Sequence, residues 1–98
     1  MPLSPFQKRY LRGLAHSLDP VVLLGQKGVT PAVIAELGLA LDHHELVKVK
    51  LSGGDRAERA AQIEALCTPL DAELVQTIGR TATLWRRNAD APRLPLPK

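Results

Sequence analysis

Between Val21-Val22-Leu23-Leu24 and Thr30-Pro31 the chain reads Gly25-Gln26-Lys27-Gly28. A glycine pair placed between a strand-like run and a helix start lets the backbone turn sharply and lets another backbone approach with no Cβ in the way. The unpaired N–H groups and positive dipole end of the following helix favour a phosphate there, and Lys27 adds a mobile cation. The same design grips the backbone of about four nucleotides in KH domains, which hold the chain more than they stack its bases. A Gly-x-x-Gly connection also serves simply as a tight turn, so on its own it leaves both readings open.

Other residues carry the types needed for chemistry but not the spacing. His43-His44-Glu45, with His16 as a further candidate, suggests a metal site. Adjacent side chains diverge in a regular helix or strand, however, unlike the i, i+4 pair of a zinc helix. Histidines at a helix C-terminus, favoured by its dipole, are the better account, and neither metal nor cofactor is expected. Cys67 is the single cysteine, which forbids an internal disulfide. It stands at helical spacing from Ile63 as a small buried apolar residue would, with a reactive thiol as the alternative. No nucleophile stands in a recognised activating context, so no catalytic residue is assigned and the chain is read as a non-enzyme.

The elements that must position these residues follow from local signals. Ser4-Pro5-Phe6-Gln7 combines a serine N-cap, proline at the first helical position and a glutamine that completes a capping box. Phe6, Tyr10, Leu11 and Leu14 are expected to form the inward stripe of this first helix, with Lys8, Arg9, Arg12 and His16 around the other side. Asp19-Pro20 ends it, and Val21 to Leu24 has the look of a short buried strand. Thr30-Pro31 opens a second helix carrying Val33, Ile34, Leu37 and Leu41 on one face and running out near His43-His44.

Leu46 to Leu51 alternates, Val47, Val49 and Leu51 against Leu46, Lys48 and Lys50, and is a strand. Ser52-Gly53-Gly54 is a turn. Asp55 with Glu58 caps a third helix through Ala60, Ile63, Leu66 and Cys67, expected to stop at Thr68-Pro69. Glu73 to Ile78 and Ala82 to Arg87, separated by Gly79-Arg80-Thr81, predict an antiparallel hairpin. The expected fold is a single compact α/β domain over residues 1–87, α-β-α-β-α-β-β, with three helices on a mixed four-stranded sheet. Residues 88–98, which include Pro92, Pro95 and Pro97, are read as a flexible tail.

Composition bounds the rest. At 98 residues and 45% apolar content the chain can fill one core without disulfides or metal. The N-terminus lacks the cationic start and apolar stretch of a secretory signal. The longest uncharged run, Gly28 to Ala35, falls well short of the roughly 20 residues that cross a bilayer. No membrane and a cytoplasmic location are therefore expected. Net charge is +3, but it is unevenly spread, with balances of +3 over residues 1–28, −1 over 29–54, −3 over 55–79 and +4 over 80–98. Basic ends and an acidic middle imply an anionic partner for one surface, as in nucleic-acid binders, while a solvated charged face gives similar counts. A second class of function is a protein-interaction module that docks ribosomal proteins through the acidic third helix, without specific RNA binding.

Taken with its flanks, the glycine loop carries a resemblance. Leu11-Arg12-Gly13-Leu14-Ala15-His16, Pro20 to Thr30, His43 to Lys50 and Val75-Gln76-Thr77-Ile78-Gly79-Arg80-Thr81 together resemble the CRM domain family (chloroplast RNA splicing and ribosome maturation), and more closely its stand-alone bacterial YhbY-like members. The likeness runs from Ser4 to Arg87. It implies a fold similar to the C-terminal domain of translation initiation factor three, with RNA binding centred on Gly25, Gln26, Lys27 and Gly28. Many members have a lysine directly after the first glycine, where this chain has Gln26.

The implied partners are precursor RNA of the large ribosomal subunit and the pre-ribosomal particle, bound by a monomer. The expected surrounding cations are Lys8, Arg9, Arg12, Arg80, Arg86 and Arg87. Trp85 is open between packing on the first helix, which is favoured, and stacking on a base.

Overall fold

In the computed structural model, which describes residues 3–87, seven elements follow one another. They are helix α1 (Pro5–Ala15), strand β1 (Val22–Leu23), helix α2 (Pro31–His44), strand β2 (Leu46–Lys50), helix α3 (Arg56–Leu70) and strands β3 (Glu73–Ile78) and β4 (Thr81–Trp85). The expected order is present, and it builds a compact α/β domain with a mixed four-stranded sheet and three helices. The expected tail, residues 88–98, lies outside the described residues.

Each helix starts where its sequence offers a cap. Ser4 Oγ accepts the Gln7 N–H at 3.1 Å while Gln7 Oε1 accepts the Ser4 N–H at 3.0 Å, a closed capping box. Thr30 and Asp55 accept the Val33 and Glu58 N–H groups at 3.2 and 2.8 Å. α3 does not stop at Thr68-Pro69 as expected but runs through Pro69 to Leu70. A proline in the last turn removes a single ladder bond. The end is set instead by Asp71 in the left-handed region at φ 53, with the Ala72 N–H reaching back to the Cys67 carbonyl at 3.0 Å.

The sheet order is β1-β2-β4-β3, with β1 parallel to β2 and the other pairs antiparallel. β1 is only two residues long, and β3 carries an irregularity between Leu74 and Gln76 that adds Val75 as an extra residue opposite β4. Strand alternation then divides the core in two. Val47, Val49, Ala82 and Leu84 face α2 and α3, where Leu37, Leu41 and Leu66 are fully buried. Leu46, Val75 and Trp85 face the other way, against Leu11 and Ala15 of α1. Because helices cover both faces, neighbouring Leu84 and Trp85 are both buried, one on each side of the sheet. Trp85 is thus a packing residue beneath α1.

Phe6 is a correction: it is 56% exposed. At 100° per residue it sits about 140° around the helix from Leu11, outside the stripe that Tyr10, Leu11, Leu14 and Ala15 press onto the sheet. α1 also covers only one end of its face. The Leu3 N–H donates to both carboxylate oxygens of Glu73 at 2.8 and 3.1 Å, fastening the start of α1 over the start of β3. Toward the other end that face is open, with Leu23, Lys50 and Ile78 exposed.

Candidate nucleic-acid interface

The loop begins where β1 runs out. The Leu24 N–H still bonds the Lys50 carbonyl at 2.9 Å, and the chain then folds back so that the Gly28 N–H donates to the Gly25 carbonyl at 3.0 Å. Gly28 has φ 66, the left-handed region that side chains disfavour by roughly 1–2 kcal/mol, so glycine is needed there on backbone grounds alone. A Cβ on Gly28 would also come within 3.3 Å of Gln62 Nε2, whereas one on Gly25 would meet nothing within 4 Å. Gln26 and Lys27 stand exposed at the apex.

The helix behind the loop has fewer free donors than the sequence argument supposed. Pro31 has no N–H and Thr30 takes that of Val33, leaving Ala32 alone among the first three helical residues to meet a ligand. An anion at this loop would therefore meet Lys27 and the loop's own backbone more than the α2 terminus.

Two further turns gather beside this loop, and sequence reasoning missed their part. Gln62 Oε1 accepts the Ser52 and Gly53 N–H groups at 3.2 and 2.9 Å, and its Nε2 donates to Ser52 Oγ at 2.9 Å. Arg59 Nη1 donates to the Gly53 carbonyl at 3.2 Å. Gly53 is packed so closely on α3 that a Cβ would lie 2.8 Å from the Arg59 backbone nitrogen. The Leu51 N–H bonds the Arg80 carbonyl at 2.6 Å, bringing the β3–β4 turn alongside. Loops 25–28, 52–54 and 79–80 thus share one end of the sheet, with Lys27 and Arg80 exposed on them and Lys50 exposed at the adjoining end of β2. The glycines of Ser52-Gly53-Gly54 were a visible signal, but their partner Gln62 was not.

The expected cations do not all converge there. Arg9 and Arg12 are exposed and Lys8 is half-buried on α1, over the opposite end of the sheet. Arg87 is exposed just past β4, also at the α1 end, where Trp85 pairs with Leu46. Arg86 is turned inward: its guanidinium donates to the Leu70 and Gly38 carbonyls, each at 3.1 Å, and to Asp42 Oδ1 at 2.6 Å. Within the fold this side chain ties α2 to α3, and the three bonds leave two of its five N–H donors uncommitted. Lys48 is likewise engaged, its Nζ donating to the Leu18 carbonyl at 3.0 Å.

The acidic stretch is less open than its count suggests. Of its five acids, Asp55, Glu58 and Glu73 each accept backbone N–H groups. His43 and His44 sit in the last turn of α2 with ring centroids 6.2 Å apart and planes tilted by 54°. Among the described residues no group of three or more His, Cys, Asp or Glu side chains could hold a metal, and no helix is long and apolar enough to cross a membrane. Burial pushes the Cys67 thiol up from 9.0 to about 11, the direction of an unreactive cysteine.

The chain as a whole is similar to known proteins. The profile of the CRS1 / YhbY (CRM) domain matches residues 3–86. A Haemophilus influenzae protein named RNA-binding protein is 47% identical over 96 residues, covering 98% of this chain and 96% of that one. The Bacillus subtilis protein YqeI, named a probable RNA-binding protein, is 35% identical over 95 residues, covering 97% of this chain and 99% of its own. A Staphylococcus aureus protein solved in solution superposes with a TM-score of 0.84 at 32% identity, covering 98% of this chain and 100% of that one.

Proposed function

The chain belongs to the CRS1/YhbY (CRM) domain family, and we propose that it is a non-enzymatic RNA-binding protein that holds precursor ribosomal RNA during assembly of the large ribosomal subunit. The observation that carries this reading is the exposed Gly25–Gly28 loop, closed by its own hydrogen bond with Lys27 at its apex and Arg80 on the neighbouring turn. Relatives that span nearly the whole chain and are named as RNA-binding support it. The RNA backbone lies against the glycine loop, and the cations of α1 with Arg87 form a second basic area that the same RNA reaches around the molecule. Binding is by a monomer in the cytoplasm and uses phosphate contacts with little base stacking, since Trp85 is buried and Phe6 is the exposed ring.

The competing reading, docking of ribosomal proteins on an acidic α3, is weakened by the local use of Asp55 and Glu58 in the helix start. Crosslinking the protein to RNA in cells and sequencing the recovered RNA tests the proposal. Precursor large-subunit RNA is the expected product, and messenger or small-subunit RNA would redirect it. In solution, log affinity for single-stranded RNA falls with log salt at a slope of about −0.7 per phosphate contact, and a flat response would remove the backbone-clamp geometry.

A further inference from the structure

The charge balance of residues 55–79 is −3, yet α3 is two-sided. Arg56, Arg59 and Ile63 fall at helical spacing on one stripe, and that stripe faces the β3–β4 hairpin. Between them lies a groove of about 510 Å³, with Arg56 and Arg59 on one wall, Ile63 and Leu74 against the core, and Thr77 and Gly79 on the hairpin. Its dimensions fall in the range of ligand-binding clefts. Arg56 is exposed and its side chain makes no hydrogen bond among the described residues, while Arg59 spends one donor on the Gly53 carbonyl. A guanidinium has five donors, so both arginines have capacity for an anion. Glu58, between them in sequence, reaches back to the Gly54 N–H at 3.4 Å.

The groove is continuous with the glycine loop. Gln62 stands against Gly28 and holds the Ser52-Gly53 turn, and Arg59 holds the far side of the same turn from within the groove. We propose that an RNA strand leaving the Gly25–Gly28 loop crosses the Ser52–Gly54 turn and enters this groove, where Arg56 and Arg59 take a phosphate and the aliphatic floor receives a base. The inference rests on the RNA-binding reading and extends its footprint onto the first turns of α3. Two arginines beside an apolar floor match a nucleotide, which is anionic at one end and flat and apolar at the other.

The test compares randomised single-stranded RNA of about four nucleotides, the span of a glycine-loop clamp, with RNA about three times as long. Arg56→Glu is the probe, because an acidic residue is well tolerated in a first helical turn. On the long RNA the variant is expected to lose about tenfold in affinity, the scale of one charge-assisted contact, with a salt slope shallower by about 0.7. On the short RNA its affinity is unchanged, and Arg56→Ala shows the same pattern. Equal losses on both lengths would reveal a diffuse field effect and overturn the groove, as would no loss on either while the wild type binds. A wild type that binds neither RNA would instead strike the RNA-binding reading itself, and the groove with it.

Discussion

Replacing Arg86 with alanine separates a structural cation from an RNA-contacting one. The guanidinium bonds two carbonyls, Leu70 at the last residue of α3 and Gly38 within α2, and pairs with Asp42. Hydrogen bonds from a charged donor contribute about 1.5–3 kcal/mol each. The Arg86 side chain is 25% exposed, so the lower end applies, about 1.5 kcal/mol per carbonyl. The ion pair adds little, roughly 0.5 kcal/mol, because the Asp42 side chain is 61% exposed. Arg86→Ala is therefore expected to cost about 3.5 kcal/mol, and Arg86→Lys about half of that, since one ammonium cannot span three acceptors on two helices.

Trp85, the single tryptophan and buried beside the substitution, reports urea unfolding by its fluorescence. With a slope of about 1–1.5 kcal/mol per molar urea for a small domain, the midpoint falls by roughly 2.3–3.5 M. Most of the loss persists at high salt, where surface ion pairs are screened but carbonyl bonds are not. RNA affinity of the folded fraction is unchanged. A variant with its midpoint intact and its RNA affinity reduced would refute this assignment and return Arg86 to the binding surface.

Other substitutions probe the loops and the buried thiol. Gly28→Asn and Gly28→Asp both place a residue that tolerates the left-handed region; gel shifts are expected to show weakened RNA binding with asparagine and none with aspartate, and equal affinities would show that no phosphate lies near the loop. Gly53→Ala puts a Cβ 2.8 Å from the Arg59 nitrogen, and the expected cost of about 1–3 kcal/mol is read as a lower urea midpoint; no loss would mean that the 52–54 turn can shift off α3.

For Cys67, the folded thiol is raised to about 11 from 9.0. The resulting stabilisation is complete below pH 9 and is lost as pH rises through about 11. Relative to Cys67→Ala, the wild type should lose midpoint only in that alkaline window, and thiolate absorbance appearing at the ordinary pH would contradict the burial.

What the sequence made legible is what depends on near neighbours in the chain. The three helix starts are read from Ser4, Thr30 and Asp55 because a cap and its donor lie three residues apart. The β3–β4 hairpin follows from Gly79, and the loop at Gly25–Gly28 from its glycines. The role of Arg86 was hidden because its acceptors lie 16, 44 and 48 residues away. The same holds for Gln62, whose polar side chain in a helix gives no hint that it fastens the Ser52-Gly53 turn beside Gly28. Phe6 was misplaced by counting apolar residues without fixing which arc of α1 meets the sheet. Arg56 and Arg59 disappeared into a segment total that their acidic neighbours made negative.

The two ends of the strand order bear on how the molecule behaves among copies of itself. An outer strand with free N–H and C=O groups is a template on which another chain can add, and the hazard grows with its length and regularity. Here one outer strand, β1, is only two residues long, and the other, β3, is irregular at Val75. Neither offers a regular run of backbone donors and acceptors long enough for strand addition. Association through the sheet edges is therefore disfavoured at high protein concentration, and a partner has to be met by side chains and turns.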